Sequence, residues 1–217
     1  MIAPYYEDGA VTIYHGDCRD ILPQLPQVDL VLTDPPYGIK RFQKGFGSTR
    51  FKGLGCEKVG IEWDVAPKAE WLATLLAVAP LSIVWGMNNM ELPITEHFLV
   101  WDKEQTVDNF ASAELAWCNL PTPAKVFRYS IHKHNHNKGG GHPTEKPLEL
   151  MRWCIGLAKA PQTILDPYMG SGSTLRAAKD LGRKAIGIEI EERYAEIAAR
   201  RMGQEVLDFS ERKENRL

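Results

Sequence analysis

The segment 163–189 limits the folds open to this chain more than any other stretch. A short apolar run, Thr163-Ile164-Leu165-Asp166, enters a glycine-bearing turn, Pro167-Tyr168-Met169-Gly170-Ser171-Gly172-Ser173-Thr174. A helical pattern follows through Leu181, and a second run, Lys184-Ala185-Ile186-Gly187-Ile188-Glu189, closes the unit on an acid. Apolar runs of this length, bounded by turn residues, read as buried strands, and a helix between them implies parallel pairing. A strand–loop–helix–strand–acid unit of this kind belongs to an open α/β sheet of Rossmann type, which binds ligands beyond the carboxyl ends of its strands.

The loop departs from two common fingerprints. It lacks GxGxxG spacing, and no lysine follows its last glycine as a phosphate-binding P-loop requires. Glycines let a ligand approach the backbone closely. Asp166 beside them disfavours a pyrophosphate and suits a cationic amino group. Glu189, about twenty residues on, stands where a carboxylate takes ribose hydroxyls. A ligand with a ribose, an ammonium and little or no phosphate is implied, and S-adenosylmethionine fits better than a dinucleotide. A tight turn holding no ligand is the alternative.

A second corner lies upstream. The apolar run 28–32 reads as a buried strand that runs into Thr33-Asp34-Pro35-Pro36-Tyr37-Gly38. Two prolines cannot continue a sheet ladder, and each restricts the residue before it. The chain must leave the sheet as a stiff, extended corner with an acid on one side and an aromatic ring on the other. A planar aminated ring could stack on Tyr37 while its amino group donates to the Asp34 carboxylate and the Pro35 carbonyl. A plain strand-ending turn uses the same dipeptides.

Further strands are expected at 11–15, 81–85, 98–101, 114–117 and 125–129, and helices at 66–79, around 148–158 and at 192–202. The tryptophans of these strands read as core. The 11–15 strand should pair in parallel with the 28–32 strand, which sets Asp17 at a strand end as Asp34 is. Asp17 also suits a helix cap.

Composition sets the class. With 217 residues, 44% hydrophobic and 25% charged, the chain has the make-up of an ordinary globular protein. No apolar run approaches a membrane span, and the N-terminus lacks a signal-peptide pattern. Cys18, Cys56, Cys118 and Cys154 are scattered without a CxxC pair, as in reduced thiols of a cytoplasmic protein. A net charge of −2 gives no global sign of a nucleic-acid partner, so local charge has to be read. Segment 38–60 sets Lys40, Arg41, Lys44, Arg50 and Lys52 among Phe42, Phe46, Phe51 and several glycines. This long loop suits contact with nucleic acid, or is a solvated surface. His132, Lys133, His134 and Lys138, in a polar glycine-bearing stretch, form a second candidate phosphate surface. Metal binding by the histidines is the weaker alternative, since no cysteine or carboxylate lies in the run.

Taken together and in order, Gly16-Asp17-Cys18, Asp34-Pro35-Pro36-Tyr37, His142 to Pro147, Asp166 to Thr174 and Glu189 resemble the amino-DNA methyltransferases. Their order resembles the β-type subgroup, in which the Asp-Pro-Pro-Tyr motif precedes the cofactor loop. The resemblance implies a circularly permuted, mostly parallel seven-stranded sheet with one antiparallel strand, filling a single domain over 1–203 before a polar tail, 204–217. It implies S-adenosyl-L-methionine as methyl donor, double-stranded DNA as partner, and no metal. Asp166, Gly170 and Gly172 would hold the methionine part, with Tyr168, Ser171, Ser173 and Thr174 in the same site. Glu189 would take the ribose, and Asp17, beside Cys18, the adenine. Thr144 and Lys146 match the segment closing over the methionine moiety, while Asp34, Pro35, Pro36 and Tyr37 match the residues gripping the target base.

Asp before Pro-Pro-Tyr is the usual adenine-N6 form and Ser the usual cytosine-N4 form. Alternatives are cytosine N4, RNA adenine, or a non-catalytic cofactor-binding subunit. No cysteine stands after a proline, which argues against cytosine C5 chemistry with a thiol nucleophile. The stretch available for target recognition, about 130–141, is shorter than the subgroup's usual region. Specificity is therefore expected to be short or relaxed, or to come from the basic loop or a second protomer in a homodimer.

Overall fold

The computed structural model describes residues 2–38, 65–107, 111–137, 145–159 and 161–204. Its strands are β1 (Tyr6–Glu7), β2 (Val11–His15), β3 (Leu30–Thr33), β4 (Leu81–Trp85), β5 (Phe98–Asp102), β6 (Ala113–Cys118), β7 (Lys125–Arg128), β8 (Thr163–Asp166) and β9 (Lys184–Glu189). They form one sheet in the order β1-β2-β9-β8-β3-β4-β6-β5-β7. From β2 to β4 every neighbour is parallel. β6 runs antiparallel between β4 and β5, β7 lies parallel to β5, and β1 pairs antiparallel with β2.

The inner seven strands, β2 to β5 along the sheet, give the expected count with one reversed strand. The two edge strands add to it, so the described sheet has nine strands and two reversed ones. The expected pairing of the first two long strands does not occur: β9 and β8 lie between β2 and β3. Burial explains the placement. β3 is buried at all four residues, whereas β2 alternates, with Val11 and Ile13 buried and Thr12 and Tyr14 partly exposed. A strand apolar on both faces belongs in the centre, and an alternating one nearer the margin.

Helices α1 (Cys18–Ile21), α2 (Ala69–Leu76), α3 (Ile131–Asn137), α4 (Leu148–Leu157), α5 (Ser173–Asp180) and α6 (Glu192–Met202) complete the described elements, with short 3-10 turns after α1 and β4. Leu30 and Leu32 join a core with Trp85, Trp101, Leu150 of α4, Ala177 of α5 and Ala198 of α6. Val31 points the other way, into a cluster with Ile21 of α1 and Leu75 of α2. The period-two alternation of β3 thus divides its side chains between two helical layers. Trp85, Trp101 and Trp117 are all buried, as core tryptophans should be. No helix among the described residues is long and apolar enough to cross a membrane.

The polar stretch at 131–137 is a helix rather than a loop. Ile131 packs against the core and His134, three residues on, is buried edge-on to Trp101. An i, i+3 pair turned inward is enough to fix one face of a short helix.

Candidate active site

Two acid-bearing corners lie on the carboxyl edge of the sheet. The first follows β3. Tyr37 donates its hydroxyl to Asp34 Oδ1, and Lys146 donates its ammonium to Asp34 Oδ2. Lys146 Nζ also lies 3.2 Å from the Tyr37 hydroxyl and 5.5 Å from the centre of its ring. The ring is seated on Gly86, just past β4, where a Cβ would come within 2.1 Å of Tyr37 Cε1. Gly86 has φ +81°, a conformation that favours glycine. Pro35 is buried beneath the corner.

Glu114 reaches this corner from β6. Its Oε2 lies 3.0 Å from Lys146 Nζ, and its Oε1 lies 2.5 Å from Lys103 Nζ. Burial pushes the Asp34 carboxyl above its usual range, although the Lys146 charge opposes the rise. Burial acts the same way on Glu114, but Lys146 and Lys103 outweigh it and bring that acid down to about 2. Burial disfavours the Lys146 cation, yet Asp34 and Glu114 hold it well above the usual lysine value.

The second corner is the glycine loop after β8. Asp166 is buried, and its Oδ1 accepts from the Thr33 hydroxyl at 2.8 Å and the Tyr168 amide at 3.1 Å. Burial pushes its carboxyl up to about 6, with Thr174 and Thr33 as neutral donors opposing the rise and Asp34 adding to it. This buried acid is held by neutral groups and faces another acid, so a ligand cation is the group that would satisfy it. Glu189 accepts the Gly170 amide on Oε2 and the Glu191 amide on Oε1, each at 2.9 Å. Those amides aim the carboxylate while leaving a lone pair on each oxygen for a ligand hydroxyl. The chemistry of these donors fits an ammonium and a ribose.

The other expected site residues divide. Asp17 stands beyond β2 on the same edge, where the Gly16 amide donates to the Glu189 carbonyl at 2.9 Å. Its carboxylate caps α1 through the Arg19 amide and binds the Arg19 guanidinium, both at 2.9 Å. Cys18 is buried, and burial pushes its thiol up to about 11. Tyr168 accepts the Trp71 indole N–H at 2.8 Å on its hydroxyl. Ser173 donates to Glu145 at 3.1 Å, and Glu145 pairs with Arg201 at 2.7 Å. Ser171 contributes a carbonyl 3.5 Å from Arg201, and Thr174 packs its hydroxyl on Met151 Sδ at 3.6 Å.

Lys146, which matches the segment closing over the methionine moiety, reaches Asp34 in this structure. His132 and Lys133 are exposed on α3, with Lys133 Nζ 5.3 Å over the Tyr129 ring. His134 does not join them as a phosphate contact. It is 8% exposed, and its Nε2 lies 2.8 Å from the Glu145 carbonyl, because the space beside Trp101 takes its ring. Lys40, Arg41, Lys44, Arg50, Lys52, Lys138 and Thr144 lie outside the described residues, as do most of the basic loop and the polar tail.

Sequence reading missed Glu114, Lys103, Gly86 and the Glu145–Arg201 pair. The signal for Glu114 was present: a lone acid within an otherwise apolar strand needs a buried cation.

An open sheet with one reversed strand inside it, and acids from several strands converging on one carboxyl edge, defines a Rossmann-like fold of the methyltransferase class. A family model described as DNA methylase matches residues 116–200. Type II methyltransferase M.HinfI from Haemophilus influenzae is 27% identical, over 93% of this chain and 71% of its own. Type II methyltransferase M.ScaI from Streptomyces caespitosus is 24% identical, over 93% and 84% respectively. Among solved structures, the M1.HpyAVI–SAM complex shares 25% identity and superposes with a TM-score of 0.57, covering 88% of this chain and 99% of its own. The cytosine-N4-specific PvuII DNA methyltransferase, at 17% identity, shares the fold with a TM-score of 0.60 over 94% and 90% of the two chains. The chain is thus similar to a DNA methylase family over residues 116–200, and to Type II methyltransferases over more than nine-tenths of its length.

Proposed function

We propose that this protein transfers a methyl group from S-adenosyl-L-methionine to the exocyclic N6 of adenine in a base turned out of double-stranded DNA, with short or relaxed sequence specificity. The observation that carries the reading is the hydrogen bond from Thr33 to Asp166. It joins the residue next to Asp34 with the acid of the glycine loop, so the two corners share a wall.

Bound S-adenosylmethionine supplies an electrophilic methyl group on a sulfonium. Asp166 holds the ammonium of the methionine part, Glu189 the ribose hydroxyls, and Asp17 lies at the adenine end. Asp34 and the Pro35 carbonyl accept the two amino hydrogens of the target base, which withdraws the nitrogen lone pair from the ring and frees it for attack. With the donor bound, that nitrogen would take the methyl group as S-adenosylhomocysteine leaves, and the proton the methylated nitrogen sheds would pass to Asp34. Asp34 need not be a strong base, because that proton becomes acidic only after transfer. Turning the base out costs roughly a few kcal/mol, and stacking on Tyr37 offsets part of it.

The test is to incubate unmethylated DNA with labelled cofactor and identify the modified nucleoside. N6-methyladenine is expected; N4-methylcytosine would keep the chemistry and change the base, and unlabelled DNA would refute the reading. Asp34→Ala should lower turnover by roughly 10²-fold or more through loss of preorganised hydrogen bonding, with cofactor affinity almost unchanged. An Asp34→Ala enzyme at full rate would remove Asp34 from the reaction.

A further inference from the structure

We propose that Lys146 is a positioning residue of the target-base corner: clamped between Glu114 and Asp34, it holds the Asp34 carboxylate ready as a charged acceptor for the incoming amino group. This rests on the methyl-transfer reading above and assigns Lys146 to the base rather than to the cofactor.

Three observations carry it. The first is direction. Lys146 is 7% exposed and Asp34 23%, so the ammonium comes from the interior and the open side of the carboxylate stays available to a ligand. The second is charge. Asp34, Glu114, Lys146 and Lys103 form a chain of two acids and two cations, and Glu114 spans the lysines at 3.0 and 2.5 Å. An acid buried at this corner without a neighbouring cation would favour its neutral form and lose much of its strength as an acceptor.

The third is anchoring. His134 holds the Glu145 carbonyl at 2.8 Å, Arg201 holds the Glu145 carboxylate at 2.7 Å, and Pro147 restricts the backbone of Lys146, the residue before it. The backbone that delivers Lys146 is therefore fixed by α3 on one side and α6 on the other. The inward-facing His134, unsuited to phosphate, has its use here. Among the described residues, the other ionisable groups facing Asp34 are Tyr37 from its own corner and Asp166 from β8.

The test compares wild type, Lys146→Met, Lys146→Arg and the double variant Lys146→Met/Glu114→Gln. The pH profile of methyl transfer to DNA and the cofactor affinity by calorimetry are measured for each. Removing the cation disfavours the Asp34 carboxylate, so its pKa rises and the acidic limb of the profile should move to higher pH by about 1–3 units. Lys146→Arg keeps the charge and should keep the wild-type limb, and cofactor affinity should be the same throughout. The double variant removes one acid with the lysine, which keeps the measurement possible if the single variant folds poorly. A limb that stays put in both Met variants overturns the proposal. So does weakened cofactor binding with an unmoved limb, since that returns Lys146 to the methionine pocket. A wild-type enzyme that labels no base would instead defeat the methyl-transfer reading itself.

Discussion

Gly86→Ala tests whether the Tyr37 ring must lie where it does. The backbone at Gly86 has φ +81°, and a side chain in this left-handed region costs about 1–2 kcal/mol. The new Cβ would stand 2.1 Å from Tyr37 Cε1 and 2.6 Å from Cδ1 and Cζ. Ordinary carbon contacts begin near 3.5 Å, so the ring has to retreat by roughly 1.5 Å. It cannot do so freely, because its hydroxyl is bound to Asp34 and lies 3.2 Å from Lys146. The expected loss is the stacking of a base on an aromatic face, ~1–3 kcal/mol, which is about 5- to 150-fold in turnover. Rates of labelled methyl transfer at saturating cofactor measure this, and a thermal melt measures the backbone cost separately. Cofactor affinity should hold, since Gly86 stands beside Tyr37 and not in the glycine loop. Tyr37→Ala should cost a similar factor, and combining the two should add little, because both remove one stack. A Gly86→Ala enzyme that melts lower but turns over at the wild-type rate would refute the placement of the base on Tyr37.

Two further outcomes concern the cofactor pocket. Burial raises the Asp166 carboxyl to about 6, and a ligand cation binds the ionised form, so affinity should tighten as pH rises through 6 and level off above 7. At pH 5 it should be roughly tenfold weaker than on the plateau; calorimetry across pH checks this, and Asp166→Asn should bind weakly with no such dependence. Gly172→Ala places a side chain at φ +80° with its Cβ 3.0 Å from Ala198 Cβ. A stability loss of about 1–2 kcal/mol and weaker cofactor binding are expected, read by thermal melting and calorimetry.

What was legible in the sequence was what local pattern determines. Buried strands showed as apolar runs, the glycine loop as a break between strand and helix, and the Asp34 corner as two prolines after a strand. What depends on distant partners was not legible. Lys146 and Asp34 are 112 residues apart, and nothing local to the Glu145-Lys146-Pro147 stretch distinguishes a lysine aimed at a cofactor from one aimed at a carboxylate. His134 sits among polar neighbours and looks like surface, and only the position of Trp101 draws it inward. The order of strands was equally out of reach, because β2 and β3 follow each other in the chain while β9 and β8 separate them in the sheet.

That strand order also explains why the two corners meet. β8 and β3 are neighbours, yet their connections part company. The chain leaving β8 passes through α5 to β9 on one side, while the chain leaving β3 passes through α2 to β4 on the other. α5 packs in the core layer that holds Leu30 and Leu32, and α2 packs in the opposite layer with Val31. Two adjacent parallel strands whose crossovers diverge leave a crevice beyond their carboxyl ends, the place where open α/β sheets bind ligands. Asp166 and Asp34 stand at the mouth of that crevice, one from each strand, with Thr33 bonded across it. Residues 133 apart in the chain are brought together there by sheet order alone. A donor held by the first acid and an acceptor base held by the second would meet at the switch point, whichever motif comes first in the sequence.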